Sequence, residues 1–179
     1  MVVVMKMDEC DTRRKVRPSQ GVHLVVDSKF LGGRSALMIP KTKDGRVLFG
    51  VPWHGKVVLG TTDTPLNEAS LEPRALEEEV DFILDQAGQY LDRKPTRADV
   101  LSIFAGLRPL AAPTHADSKK TKEISRNHKI YRSKSGLLTI TGGKWTTYPA
   151  RAEDVINQAI VIGGVSPAEC VTKNLRAHG

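Results

Sequence analysis

The stretch Leu137–Tyr148, which reads LLTITGGKWTTY, holds the change of pattern that best indicates the fold. Its apolar first half predicts a strand, and two glycines separate that strand from a helical pattern that begins at about Thr147. Paired glycines let the backbone approach a ligand closely because no Cβ stands in the way. A helix N-terminus adds N–H groups and a partial positive charge. The junction therefore suits an anionic group such as a phosphate, although the same residues alone are more often a simple turn.

The rest of the chain alternates between short apolar runs and two longer helical patterns. The predicted strands are Val2–Met7, Val22–Val26, Ala36–Pro40, Val47–Pro52, Lys56–Thr62, Leu101–Leu107, Ile124–Tyr131 and Leu137–Thr141. The predicted helices are Pro73–Leu91 and Thr147–Ile162, with a further short helix from Ser166. We expect an α+β fold built on a mostly antiparallel sheet and flanked by the two longer helices.

Side-chain direction follows from the period of two along each predicted strand. In the second strand, Val22, Leu24 and Val26 share one face and His23 points to the other. Arg108 lies at the end of another strand, and Gly106 on the same face is expected to leave room beside it. Both strands around Trp53 are almost continuously apolar, which predicts that both of their faces are covered.

Composition and charge limit the class of protein. Hydrophobic residues make up 40% and charged residues 26% of the 179 positions, which excludes a disordered chain. The net charge of +7 favours an anionic partner. Only 5% of residues are aromatic and the basic residues are scattered, so we expect no nucleic-acid partner. We expect no metal site either, because Cys10 and Cys170 lie far apart without metal-ligand spacing.

Five stretches in order give the chain a resemblance to a known family. They are Arg17–Val26 (RPSQGVHLVV), Gly60–Asp63 (GTTD), Phe104–Leu110 (FAGLRPL), Ser125–His128 (SRNH) and Gly142–Tyr148 (GGKWTTY). Together they resemble the FAD-dependent glycerol-3-phosphate dehydrogenases of the glycine/D-amino-acid oxidase (DAO) superfamily, over roughly Val16–Ala159. The resemblance implies part of a DAO-type FAD/NAD(P)-binding oxidoreductase fold.

The resemblance also implies an activity. The parent enzyme would oxidise sn-glycerol 3-phosphate to dihydroxyacetone phosphate, passing a hydride from C2 to N5 of FAD and electrons onward to a quinone. His23 would be the base for the C2 hydroxyl proton, because imidazole titrates near neutral pH. Arg108 and Arg126 would bind the substrate phosphate, since guanidinium groups contact it in a bidentate manner.

The same resemblance places residues of the Gly-Gly junction at the cofactor. Lys144 would lie between the substrate and the flavin N1–O2 edge and stabilise negative charge there, so that the catalytic set is His23, Arg108 and Lys144. The expected FAD contacts are Gly142, Gly143, Lys144, Trp145, Thr146 and Thr147. Pro149-Ala150-Arg151 departs from the pattern of the family, which puts contacts from those three side chains in doubt.

A flavoprotein of this superfamily carries a Gly-x-Gly-x-x-Gly turn for the FAD pyrophosphate, and this sequence has none. We therefore expect a fragment with an incomplete FAD site, inactive on its own. Residues 1–140 would form a substrate-binding cap domain, and residues 141–179 a flavin-contacting loop and helix that return to the FAD domain. Apolar surface beside that helix would favour self-association.

Two alternatives remain open at the level of the sequence. One is another oxidase of the same superfamily that acts on an amine or a 2-hydroxy acid; the other is a basic, non-catalytic binding module for RNA or acidic lipid. The sequence lacks an apolar run of the roughly 18 residues that a membrane-spanning helix needs. We expect a cytoplasmic protein, with peripheral contact at the inner face of the cytoplasmic membrane.

Overall fold

A computed structural model describes residues 2–8, 16–111 and 127–176. The chain divides into two compact units, one of Pro18–Arg108 and one that combines Met1–Arg17 with Pro109–Gly179. The functional assignment of residues 1–140 and 141–179 stays a prediction.

The unit Pro18–Arg108 is built on one sheet. Its strands are β1 (Val16–Asp27), β2 (Leu37–Ile39), β3 (Leu48–Trp53), β4 (Lys56–Gly60), β5 (Thr64–Pro65) and β6 (Val100–Ala111). They are ordered β2-β3-β4-β1-β5, and β6 also pairs with β1. The pairs β1–β4, β1–β5, β2–β3 and β3–β4 are all antiparallel. The predicted α+β class with a mostly antiparallel sheet is confirmed.

The helices of the described residues are α1 (Val2–Asp8), α2 (Glu77–Gly88) and α3 (Tyr148–Gly163). Helix α2 covers one face of the sheet in the unit Pro18–Arg108. Its buried apolar residues are Val80, Ile83, Leu84 and Ala87, which pack with Val22, Leu24, Val26, Ile39, Leu48, Val57 and Leu59 of the strands. The predicted alternation in β1 is therefore confirmed, because the three β1 residues in that core are fully buried.

The other face of β3 is not covered by residues of its own unit. Phe49, Val51 and Trp53 are 42%, 37% and 62% exposed. Leu48, which points to the opposite face of β3, is fully buried in the core. The prediction that both faces are covered is therefore wrong for β3 in the described part of the chain, whereas β4 exposes only Lys56. A continuously apolar strand resembles a doubly buried one in sequence, but α2 and Phe30 both belong to the core on the opposite face of this sheet.

The second unit contains helix α1, helix α3 and a hairpin of β7 (His128–Arg132) and β8 (Leu138–Gly142). Val2–Met7 was predicted as a strand and is helical. β-Branched residues favour a strand only weakly in a short segment, and the helical conformation buries the side chain of Met5. The short helix predicted from Ser166 is also absent from the described residues, because 165–176 form an irregular segment with a single turn at 172–173. Within the described ranges, none of the helices is long and apolar enough to cross a membrane.

Candidate functional site

Arg108 lies near the end of β6, and its guanidinium is held by two consecutive threonines. Its Nη2 donates to Thr61 Oγ1 at 2.9 Å, and its Nη1 donates to the Thr62 carbonyl at 3.1 Å. The side chain is 32% exposed, so solvent and small ligands reach it. The result is a positive charge with a fixed direction at the surface of the unit Pro18–Arg108.

Gly21 on β1 makes the space that this guanidinium occupies. A Cβ at Gly21 would lie 2.3 Å from Nη2 and 2.6 Å from Cζ of Arg108, so any side chain there would displace the group. The sequence analysis assigned this role to Gly106, but a Cβ at Gly106 would meet nothing within 4 Å. That assignment is wrong, because the neighbour that decides the space lies across the β1–β6 pair rather than along β6.

The imidazole of His23 lies on the same face of β1 as Gly21, two positions along the strand. It stacks on Phe104 of β6 with 5.0 Å between ring centroids and 11° between planes. It also lies over Gly60, its partner in β4, where a Cβ would come within 2.4 Å of the ring Cδ2. Phe104 and Gly60 therefore fix the ring between an aromatic face and an unsubstituted backbone.

The surroundings of His23 favour its neutral form. Burial lowers the pKa of His23, and the positive charge of Arg108 lowers it further. A neutral imidazole has an acceptor nitrogen, which is what a general base requires. The folded chain binds the proton of His23 less readily than the unfolded chain does. The free energy of unfolding therefore falls as the pH drops below about 6.5, the pKa of the imidazole in the unfolded chain.

Asp63 completes the polar group around Arg108. Its carboxylate accepts a hydrogen bond from the Ser19 hydroxyl, and Arg108 Nη1 lies 3.9 Å from Asp63 Oδ1, at the outer limit of an ion pair. Its observed partners lie on β1 and β6, so the carboxylate links the 61–64 segment to both strands.

The Gly-Gly junction lies in the second unit, at the end of β8. Gly142 and Gly143 have φ values of 79° and 82°, which only glycine adopts without strain. A Cβ on Gly142 would lie 2.7 Å from the Asn127 carbonyl oxygen, and one on Gly143 would lie 2.6 Å from Arg151 Cδ. Both glycines are thus required by conformation and by packing.

Between Gly143 and α3 the chain makes a single tight turn. The Thr147 hydroxyl accepts from the Lys144 N–H at 3.2 Å and donates to the Lys144 carbonyl at 3.0 Å, so it closes the turn locally. Trp145 is 86% exposed and packs only at a tilt against Tyr148, with 5.7 Å between ring centroids. Lys144 and Thr146 are exposed as well.

Two buried polar atoms at this junction bear on whether a flavin fits. Thr141 Oγ1 and Arg151 Nε have no hydrogen-bond partner within the described part of the chain. Buried polar groups are normally paired, and a flavin ring offers both donors and acceptors. The hydroxyl of Thr141 and the N–H of Arg151 could therefore bond to a polar ring at the junction. Lys144 is the exposed cation nearest to them in sequence.

The structure brings together only part of the predicted set. His23 and Arg108 share one face of the sheet in the unit Pro18–Arg108, whereas Lys144 and the expected FAD contacts at 142–147 belong to the other unit. Arg126 lies outside the described residues. In the ranges 2–8, 16–111 and 127–176, there is no cluster of three or more residues able to hold a metal ion. Sequence reasoning missed Gly21, Gly60 and Phe104, which only strand pairing brings to the site.

The environment of His23 gives a direct prediction. In the wild-type chain, a titration of the His23 ring protons by NMR should give a pKa below about 6.5. Arg108→Gln should raise the pKa of His23 toward that value without reaching it, because burial remains. Arg93→Gln, which removes an exposed charge elsewhere on the unit, is the matched control and should change nothing. A His23 pKa at or above its ordinary value in the wild type would contradict this electrostatic picture.

Comparison with known proteins agrees with the resemblance. At residues 3–150, the chain matches the family model described as "FAD dependent oxidoreductase", DAO. It is 46% identical over 177 residues to glycerol-3-phosphate dehydrogenase SDP6, mitochondrial, of Arabidopsis thaliana, covering 98% of this chain and 28% of the relative. It is also 46% identical over 159 residues to the mitochondrial glycerol-3-phosphate dehydrogenase of Bos taurus, covering 88% of this chain and 22% of that protein.

A solved structure shows the same fold. The glycerol-3-phosphate dehydrogenase of Bacillus halodurans complexed with FAD superimposes with a TM-score of 0.74 at 34% identity, covering 93% of this chain and 31% of that chain. The chain thus spans about a quarter of the length of the curated relatives it matches. The expected cofactor class, FAD, agrees with the family model and with this structural neighbour. By its match over most of its length, the chain belongs to the DAO family of FAD-dependent oxidoreductases.

Proposed function

We propose that this chain is the substrate-binding part of an FAD-dependent glycerol-3-phosphate dehydrogenase. The observation that carries the proposal is that the Arg108 guanidinium, held by Thr61 and Thr62 and partly exposed, shares one face of the sheet with the His23 imidazole. Glycerol 3-phosphate needs both groups, because it has an anionic phosphate and a hydroxyl that must lose a proton. The names of the relatives support this choice of substrate.

Each residue has a separate task in the proposed reaction. Arg108 binds the phosphate with its guanidinium, whose geometry matches phosphate oxygens. His23 accepts the proton of the C2 hydroxyl on its unprotonated ring nitrogen. Thr61 and Thr62 keep Arg108 from folding back onto the imidazole, since both of its Nη atoms donate to them.

When bound, FAD supplies the hydride acceptor for this oxidation. The residues that would hold its ring are Gly142, Gly143, Lys144, Trp145, Thr146 and Thr147. Lys144 would place a positive charge where negative charge develops, which is the usual means of electrostatic stabilisation in such a site. Thr141 and Arg151, whose buried polar atoms have no partner in the described part of the chain, are candidates to add to this set.

The electron acceptor and the location are further parts of the proposal. A quinone acceptor and peripheral contact with the inner face of the cytoplasmic membrane stay predictions from the resemblance. The Arabidopsis and bovine relatives carry "mitochondrial" in their names, so a mitochondrial membrane is the alternative location. Quinone reduction by the holoenzyme, measured against a soluble dye acceptor, would decide the first point.

Another oxidase activity of the same superfamily is the main rival. An amine oxidase or a 2-hydroxy-acid oxidase also needs a base and a cation, but its cation binds a carboxylate. The relatives named above favour the phosphate ester. The non-catalytic module for RNA or acidic lipid is weakened by the family match, because that family consists of oxidoreductases.

The phosphate site can be tested by ligand binding to the chain. Arg108→Ala should weaken binding of glycerol 3-phosphate by roughly 10- to 100-fold in calorimetry, the scale of a lost hydrogen bond to a charged group. Glycerol, which lacks the phosphate, should bind weakly and equally to both proteins. Arg93→Ala is the matched control, because Arg93 is an exposed arginine of the same unit. Equal weakening for Arg108→Ala and Arg93→Ala would show that the effect comes from net charge alone.

The isolated chain should have no dehydrogenase activity and should not retain FAD. The sequence contains no Gly-x-Gly-x-x-Gly turn to hold the pyrophosphate, and that contact anchors the cofactor in dinucleotide-binding folds. The measurement is gel filtration with added FAD, followed by an absorbance spectrum and a dye-reduction assay. A stoichiometric flavin band that co-elutes with the protein would contradict this part of the proposal. Elution as a dimer would agree with the predicted self-association.

A further inference from the structure

We propose that Glu79 is a positioning residue for Arg108, acting from the opposite side of the Thr61–Thr62 segment. The inference rests on the proposed function, since it gives Glu79 a role in the same phosphate site. Glu79 itself touches neither His23 nor Arg108 in the hydrogen bonds found here. Its influence would pass through Thr62, whose carbonyl holds Arg108.

Glu79 is a buried carboxylate on α2, only 3% exposed. Each of its oxygens accepts two hydrogen bonds. Oε1 accepts from the hydroxyls of Thr62 at 2.8 Å and Thr64 at 2.6 Å. Oε2 accepts from Gln20 Nε2 at 2.7 Å and from the Leu76 N–H at 3.0 Å. Four hydrogen bonds hold this buried carboxylate in one position.

The ionised form of this carboxyl group is the one that fits the arrangement. Burial raises the pKa of Glu79, but the hydrogen bonds together outweigh burial and hold the pKa below its ordinary value. An ionised carboxylate accepts at every lone pair and donates nothing, which matches four donors. A glutamine at this position would turn an NH₂ group toward two of the four donors and break the pattern.

Thr62 connects this carboxylate with the site. Its hydroxyl donates to Glu79 and accepts from the Val22 N–H at 3.0 Å, so it is locked between α2 and β1. Its carbonyl, on the other side of the same residue, accepts from Arg108 Nη1. Thr62 is 2% exposed, so it cannot exchange these partners for water. Movement of Thr62 would therefore move the group that orients the guanidinium.

A purely local role for Glu79 accounts for only one of its four bonds. The bond to the Leu76 N–H is an ordinary N-terminal cap of α2. The other three reach β1 and the 62–64 segment, far away in sequence. The neighbouring Glu78 gives a matched comparison, because it carries the same charge one position earlier on α2 and is exposed.

The experiment compares Glu79→Gln with Glu78→Gln in this chain. The first readout is the Nε–Hε NMR signal of Arg108 without ligand, a signature that loss of stability alone does not move. Glu79→Gln should shift this signal and speed its exchange with water, whereas Glu78→Gln should leave it at the wild-type position. The second readout is the affinity for glycerol 3-phosphate, which should fall roughly tenfold or more in Glu79→Gln only, because a displaced binding group loses its geometry.

A second pair of variants decides the matter if Glu79→Gln does not fold. Thr62→Ser keeps the hydroxyl and should retain the wild-type Arg108 signal, while Thr62→Val keeps the shape, loses the hydroxyl and should shift it. An unchanged Arg108 signal in Glu79→Gln, or in Thr62→Val, would overturn the positioning role even if stability fell. Failure of the wild type to bind glycerol 3-phosphate would instead count against the proposed function. In that case the Arg108 signal alone would still decide the role of Glu79.

Discussion

The site in the unit Pro18–Arg108 depends on where one guanidinium group rests. Arg108 lies in the space left by Gly21 and donates to two consecutive threonines, so its charge points in one direction. Three further groups of the site, His23, Asp63 and Thr62, are related to this guanidinium by charge, distance or hydrogen bonding. It lowers the pKa of His23, it lies at the edge of ion-pair distance from Asp63, and one of its two threonine partners, Thr62, is hydrogen-bonded to the buried Glu79.

The sheet separates this polar site from the apolar core. Alternate residues of β1 point to opposite faces, so Leu24 enters the core with α2 while its neighbour His23 belongs to the site. Glu79 is the exception that connects the two sides. It belongs to the helix that covers the core face, yet it binds the loop that carries the site. The hydrogen bonds of one buried carboxylate therefore contribute both to the stability of the fold and to the position of Arg108. A site held in this way by a rigid scaffold keeps its geometry.

Sequence patterns predicted the class of the fold and the strands of its main sheet, although not the helix at Val2–Asp8, because alternation and turn residues are local properties. They failed where the deciding neighbour is distant. Gly106 was expected to give Arg108 room, but pairing of β1 with β6 places Gly21 there instead. Glu79 reads as one of three acidic residues at a helix N-terminus, and nothing in its local sequence indicates three partners on other elements.

We propose that Arg108 and His23 together bind glycerol 3-phosphate. A crystal structure of this chain soaked with that compound tests the claim most directly. The predicted result places phosphate oxygens within hydrogen-bond distance of the Arg108 guanidinium and the C2 hydroxyl against the His23 ring. Phosphate bound elsewhere, with Arg108 still donating to Thr61 and Thr62 and no ligand beside His23, would contradict it.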